Sequence, residues 1–216
     1  MSAELLSLFT ATFVTFFVLI DSLGVAPMFA TLTARGDAAY RRRMAFKSMF
    51  VAAVIIFAFA FGGAWLMDAM HISIDAFRAA GGVLLFLIAL DMVFEKRTER
   101  REHRTEEHLG QHETDPEPDD VSVFPLGIPM IAGPGSIATA MFYMSDADNW
   151  MEKGVILSAI GLNLLLTLVI FLAAGPLVRM LGASVAGALT RILGVVLAAL
   201  SIQLLIDGIK GAFNLG

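Results

Sequence analysis

Of the 216 residues in this chain, 57% are hydrophobic and only 16% are charged, and the mean hydropathy is +0.77. A soluble domain carries roughly 25% charged residues, so the composition excludes an ordinary water-soluble fold and indicates a protein built into a bilayer. The absence of cysteine excludes disulfides, thiolate metal centres and cysteine nucleophiles, and the net charge of −5 comes mainly from one hydrophilic stretch, so it says little about partners.

A helix needs about 20 apolar residues to cross the hydrocarbon core. The first such run is Leu5 to Thr31. No basic residue precedes it in Met1-Ser2-Ala3-Glu4, so it is expected to be a retained span rather than a cleaved leader. It is interrupted by Asp21-Ser22-Leu23-Gly24-Val25-Ala26-Pro27, which predicts a broken helix. Spans two and three follow at Met44 to Met70 and Ile74 to Phe94. Residues 95–120 alternate acids and bases and include Pro116, Pro118, His103, His108 and His112; this is the composition of a solvated, flexible linker, and the histidine spacing fits no strong metal motif. Span four, Val121 to Met144, is broken between Pro125 and Ser136, where Gly133-Pro134-Gly135-Ser136 lies. Spans five and six are expected at Val155 to Arg179 and Ala183 to Lys210.

The expected fold is therefore all-α and polytopic: one transmembrane domain over residues 1–216 with six helices, of which the first and fourth are broken. Arg35, Arg41, Arg42, Arg43 and Lys47 follow span one; Lys96, Arg97, Arg100, Arg101 and Arg104 follow span three; Arg179 and Arg191 flank the connection after span five. All three connections share one side if the spans alternate, and cytoplasmic loops are rich in Lys and Arg. Both termini are then expected on the non-cytoplasmic side.

Arg78-Ala79-Ala80-Gly81-Gly82-Val83-Leu84 in span three matches Arg191-Ile192-Leu193-Gly194-Val195-Val196-Leu197 in span six at a separation of 113 residues. Gly24 and Gly135 in the two breaks are 111 apart. Two co-linear matches at nearly one separation predict a repeat of 1–94 by 121–216. An odd number of spans per repeat inverts the second copy, and such transporters place their sites at broken helices near the midplane.

Unwound backbone survives at membrane depth only when it is buried in protein or lines a polar cavity. Asp21 is costly there and calls for a cavity and a partner. It suits a substrate ammonium, a coupling cation or a proton, and it is also a favoured helix N-cap. Ser136 is expected to cap a helix from Ile137 to Met144, whose free amides would attract a carboxylate; Gly133 and Gly135 equally permit close helix packing. With Ser22 and Gly24, these groups would make a site for a small zwitterion. Asn163 and Thr167, four apart on one helix face, either line that cavity or bond to neighbouring helices. Ser201 and Gln203 are weaker candidates. Arg78 and Arg191 are expected to anchor the starts of their spans, Arg78 by snorkelling or by pairing with Asp75; Asp91 is expected to pair with Arg97 or a neighbouring loop; Asp68, His71 and Asp75 read as a solvated turn. No catalytic motif is present, so no enzyme activity is expected. Nor is nucleic-acid binding, since the basic residues lack interleaved aromatic platforms.

Three ordered stretches, Phe17 to Phe29, Ala76 to Met92 and Phe124 to Ile137, resemble the MarC family of multi-pass membrane proteins over nearly the whole chain. The resemblance implies a bacterial or archaeal inner membrane protein of six helices. Some members of the wider family are regarded as transporters of small neutral amino acids such as glycine and alanine. The family's first motif, usually Asp-Pro-x-Gly-Asn-x-Pro, keeps Asp21, Gly24 and Pro27 here, but Ser22 replaces the proline and Val25 the asparagine. These changes restore a backbone amide and remove a polar side chain. The expectation is a secondary transporter of a small neutral solute by alternating access, with no cofactor beyond a coupling proton or sodium ion; the alternatives are solute or drug efflux, or a non-transporting membrane scaffold.

Overall fold

The first apolar run folds as two helices. In the computed structural model, which describes residues 3–94 and 120–213, α1 (Ala3–Ile20) and α2 (Ser22–Leu32) are separated only by Asp21, whose backbone is left-handed (φ 51°, ψ 54°). Asp tolerates this conformation because its short polar side chain bonds locally; here it accepts from the Gly24 amide. The break expected over residues 21–27 is thus a single residue. Ser22 supplies the amide that a proline would lack, and α2 runs on through Pro27, which forfeits only the bond to the Leu23 carbonyl.

Side-chain caps fix three later starts. Asp37 accepts from the Tyr40 amide at 2.7 Å to open α3 (Ala38–Ala69), and Ser73 accepts from the Ala76 amide at 3.2 Å to open α4 (Ile74–Val93). Asn149 and Glu152 form a reciprocal cap at the start of α7 (Trp150–Leu172). Span four is a bent pair. α5 (Ser122–Ile131) has wide turns, with extended backbone at Phe124 and Ile128 and cis peptides before Pro125 and Pro129. It meets α6 (Pro134–Asp146) at 58°. Ser136 does not cap α6, contrary to expectation: Pro134 already occupies the first helical position, so Gly133 is the cap, and the Ser136 hydroxyl turns back to the Ile131 carbonyl at 3.1 Å. Span five ends at Leu172, seven residues short of the expected Arg179, because the chain turns at Ala173 and α8 (Ala174–Phe213) begins directly. The linker reading of 95–119, with its histidines and the proposed Arg97 partner of Asp91, lies outside the described residues.

Among the described residues five helical stretches, counting α1 and α2 as one, are long and apolar enough to cross a membrane, or six if the bent pair is a single span. Their outward faces carry large apolar side chains such as Phe50 and Trp65, 70% and 74% exposed, a surface suited to lipid and not to water. Each broken span packs mainly on helices of the other half: span one on α7 and α8, span four on α3 and α4. The most extensive contact is between α4 and α8, which cross where glycines let backbones approach. A Cβ on Gly82 would lie 2.7 Å from both Ser201 O and Leu205 N, and one on Gly194 would lie 3.2 Å from Ala89 O and 3.1 Å from Val93 Cγ2. Each partner position is displaced by the same 112 residues (82 to 194, 89 to 201, 93 to 205), and the order of contacts makes the two helices antiparallel. Arg78 ties α4 to the end of span four by pairing with Asp146; it also reaches Asp75 at 3.6 Å and lies over the Phe142 ring.

Candidate functional site

The break in span one holds a carboxylate that is 1% exposed. Asp21 accepts from the Gly24 amide at 3.3 Å and from the Thr190 hydroxyl of α8, which lies 3.1 and 3.2 Å from the two carboxylate oxygens. Gly24 is required by that geometry: a Cβ there would strike the Asp21 carboxylate and come within 2.8 Å of Thr190 Oγ1.

On the other side of the break, Ser22 and Thr167 hydroxyls lie 2.7 Å apart. Thr167 spends its proton on the Asn163 carbonyl at 2.8 Å, so Ser22 is the donor to Thr167. The Asn163 amide donates to the carbonyls of Ala159 and, across the helix interface, Phe13, each at 3.0 Å. Asn163 and Thr167 therefore join α7 to both sides of the break. The same bookkeeping orders the seam between α1 and α6: Thr15 donates to Ala11 O at 2.8 Å, so Tyr143 donates to Thr15 at 3.2 Å. One turn away from each, Thr12 and Thr139 bury hydroxyls that have no hydrogen-bond partner among the described residues.

The second break approaches the first without completing one continuous polar cluster. Leu19 Cδ2 lies 3.3 Å from where a Gly135 Cβ would stand, with Ile88 and Leu85 on the same side. The structure thus brings Asp21, Ser22, Gly24, Asn163 and Thr167 together. Of the second break only Gly135 meets Leu19, its Cβ side facing apolar side chains, while Gly133 lies against the Pro129 carbonyl and Ser136 is bonded to the Ile131 carbonyl. Ser201 is fully buried, bonded to Ala198 O, and Gln203 pairs with Asp207. Thr190, Thr12, Thr15, Thr139 and Tyr143 escaped the sequence reading. Their one signal is polarity within an apolar span, and a threonine that bonds its own preceding turn leaves that signal weak.

A cavity of about 510 Å³ opens on the N-terminal face, lined by Glu4, Tyr143, Asp146 and Glu152 among others, with Tyr143 also bonded into the seam below. At the opposite ends of span one and α7, Phe29 and Phe171 stack with ring centroids 4.4 Å apart. Among the described residues no group of three or more His, Asp or Glu is placed to hold a metal ion.

Two interrupted spans, lipid-facing apolar surfaces and a buried carboxylate at a helix break define a polytopic α-helical membrane protein whose apolar core holds a few buried polar groups. Residues 6–213 match the family described as MarC family integral membrane protein, and the chain belongs to that family. It is 35% identical to the UPF0056 membrane protein MJ1677 of Methanocaldococcus jannaschii, over 96% of this chain and 98% of the relative. It is 31% identical to the UPF0056 membrane protein YvbG of Bacillus subtilis, over 93% of each. With the UPF0056 membrane protein YhcE of Escherichia coli it shares 32% identity, over 93% of this chain and 91% of the relative. No solved structure matches.

Proposed function

We propose that this chain is a secondary transporter of small neutral amino acids or similar small zwitterionic solutes, working by alternating access in the cell's inner membrane. The observation that carries the reading is the carboxylate of Asp21, buried at a one-residue helix break inside an apolar span and cradled by Gly24 and Thr190. An ionisable group at membrane depth is expensive, and its ordinary role is on a solute, ion or proton pathway. Asp21 receives the ammonium, or the coupling proton or sodium ion. The first-turn amides of α6 at Gly135 and Ser136, at the positive end of its dipole, receive the carboxylate. The cavity above Tyr143, continued by the hydroxyls of Thr12, Thr15 and Thr139, is the approach from the N-terminal face, and the Phe29–Phe171 stack closes the other side.

An inverted repeat supports the mechanism. The reciprocal packing of Gly82 and Gly194 at one constant separation, and the insertion of each broken span into the other half, are what a two-fold axis in the membrane plane would produce. We place the termini on the non-cytoplasmic side, with the arginine-rich connections inside. The apolar surroundings of Gly135 favour a second reading, in which that break serves packing and the protein is a non-transporting scaffold.

The test is uptake of labelled glycine and alanine into proteoliposomes under imposed proton or sodium gradients, for wild type and Asp21→Asn. Gradient-dependent accumulation lost in a variant with unchanged circular dichroism supports transport and names the ion. Absence of flux in either direction from folded wild type removes the amino-acid reading and leaves efflux of another solute or the scaffold.

A further inference from the structure

On the face opposite the N-terminal cavity, a second cavity of about 350 Å³ lies where the end of α2, the start of α3 and the junction of α7 with α8 converge. Three of its lining residues are Arg41, Arg42 and Arg179, and none is acidic. Arg41 and Arg179 form no ion pair among the described residues, and Arg42 lies over the Phe46 ring at 5.8 Å. The first residues of α3 and α8 share the cavity with the last residues of α2 and α7, and Asp37 already caps α3, so the helix ends offset one another and the three guanidinium groups supply the charge. The floor is the stacked Phe29 and Phe171 pair, and the rim at Leu172 is continuous with the exposed apolar surface.

We propose that this cavity binds a phosphate-bearing anion through Arg41, Arg42 and Arg179. Guanidinium groups match phosphate oxygens bidentately, and three of them brought from two helices to one concave site distinguish it from a merely basic face. A phospholipid headgroup at the bilayer surface and a free phosphate present the same chemistry. The inference holds whether or not the protein transports amino acids.

The experiment is native mass spectrometry of the purified full-length protein with phosphatidylglycerol or phosphatidylethanolamine added, with and without millimolar inorganic phosphate. Wild type is expected to retain phosphatidylglycerol, or inorganic phosphate, at least tenfold better than phosphatidylethanolamine. The variant R41Q/R42Q/R179Q should lose that preference. R179Q alone should weaken it several-fold, whereas R43Q, which removes one charge from the same face outside the cavity, should not. Phosphatidylglycerol retained against inorganic phosphate identifies the lipid headgroup as the source; inorganic phosphate bound in its place identifies the free anion. Equal retention of the two lipids without phosphate binding, equal losses in R179Q and R43Q, or unchanged retention in the triple variant would overturn the proposal.

Discussion

Replacing Thr190 with valine tests whether the contact across span six holds the broken helix in place. Valine keeps the shape of threonine and removes a donor that reaches both Asp21 oxygens, leaving the Gly24 amide at 3.3 Å among the bonds described above. Hydrogen bonds to charged groups contribute about 1.5 to 3 kcal/mol in soluble proteins. Between membrane helices the average is nearer about 0.6 and the maximum about 1.7 kcal/mol. Because the acceptor here is a carboxylate buried to 1% exposure, the upper end of the membrane range applies: about 1.5 kcal/mol, close to tenfold in the unfolding equilibrium. Reversible SDS unfolding in detergent micelles, followed by circular dichroism, measures it. A double-mutant cycle with Asp21→Asn should return a coupling of about 1 kcal/mol. If Thr190→Val unfolds like wild type, or if the two substitutions add within about 0.3 kcal/mol, Thr190 does not hold Asp21 and the assignment of this contact fails.

Gly82→Ala should destabilise by about 1 to 3 kcal/mol in the same assay, since its Cβ meets backbone atoms of α8 that cannot rotate away. Gly62→Ala, with nothing within 4 Å, should be neutral or stabilising by up to about 1 kcal/mol. Ser22→Ala removes the donor to Thr167 and should cost about 1 kcal/mol without affecting the Asp21 contacts. Burial pushes Asp120 up, but hydrogen bonds from Lys47 and Ser122 outweigh it and bring its pKa to about 2, below the ordinary 3.8. A depressed carboxylate stabilises the fold above its unfolded pKa, so this contribution is complete above pH 3.8 and lost as pH falls through about 2. Carboxyl-carbon NMR should give a midpoint near 2 for wild type and a higher one for Lys47→Gln; identical midpoints would refute the pairing.

Membrane residence and the positions of both interruptions were legible in the chain itself, because a bilayer forces long apolar runs and any break in one is conspicuous. Gly194 was visible in a repeated motif, but the motif set it against Gly81, 113 residues away, whereas the packing makes Gly82, 112 away, its counterpart. Asp21 could be singled out, and so could Asn163 and Thr167 as neighbours on one helix face. Local order does not encode which helix faces which. Thr190 reaches Asp21 over 169 residues, Tyr143 reaches Thr15 over 128, and three arginines line one cavity only because the starts of α3 and α8 converge on the end of α2. Local competition also set the cap of α6 and the end of span five: Pro134 took the first helical position from Ser136's helix, and the turn at Ala173 ended an apolar run that composition alone would have continued. The chain determined where its helices could not remain regular. Tertiary packing decided which side chains meet at those points, because the close approaches at Gly24, Gly82 and Gly194 exist only between helices brought together from distant parts of the chain.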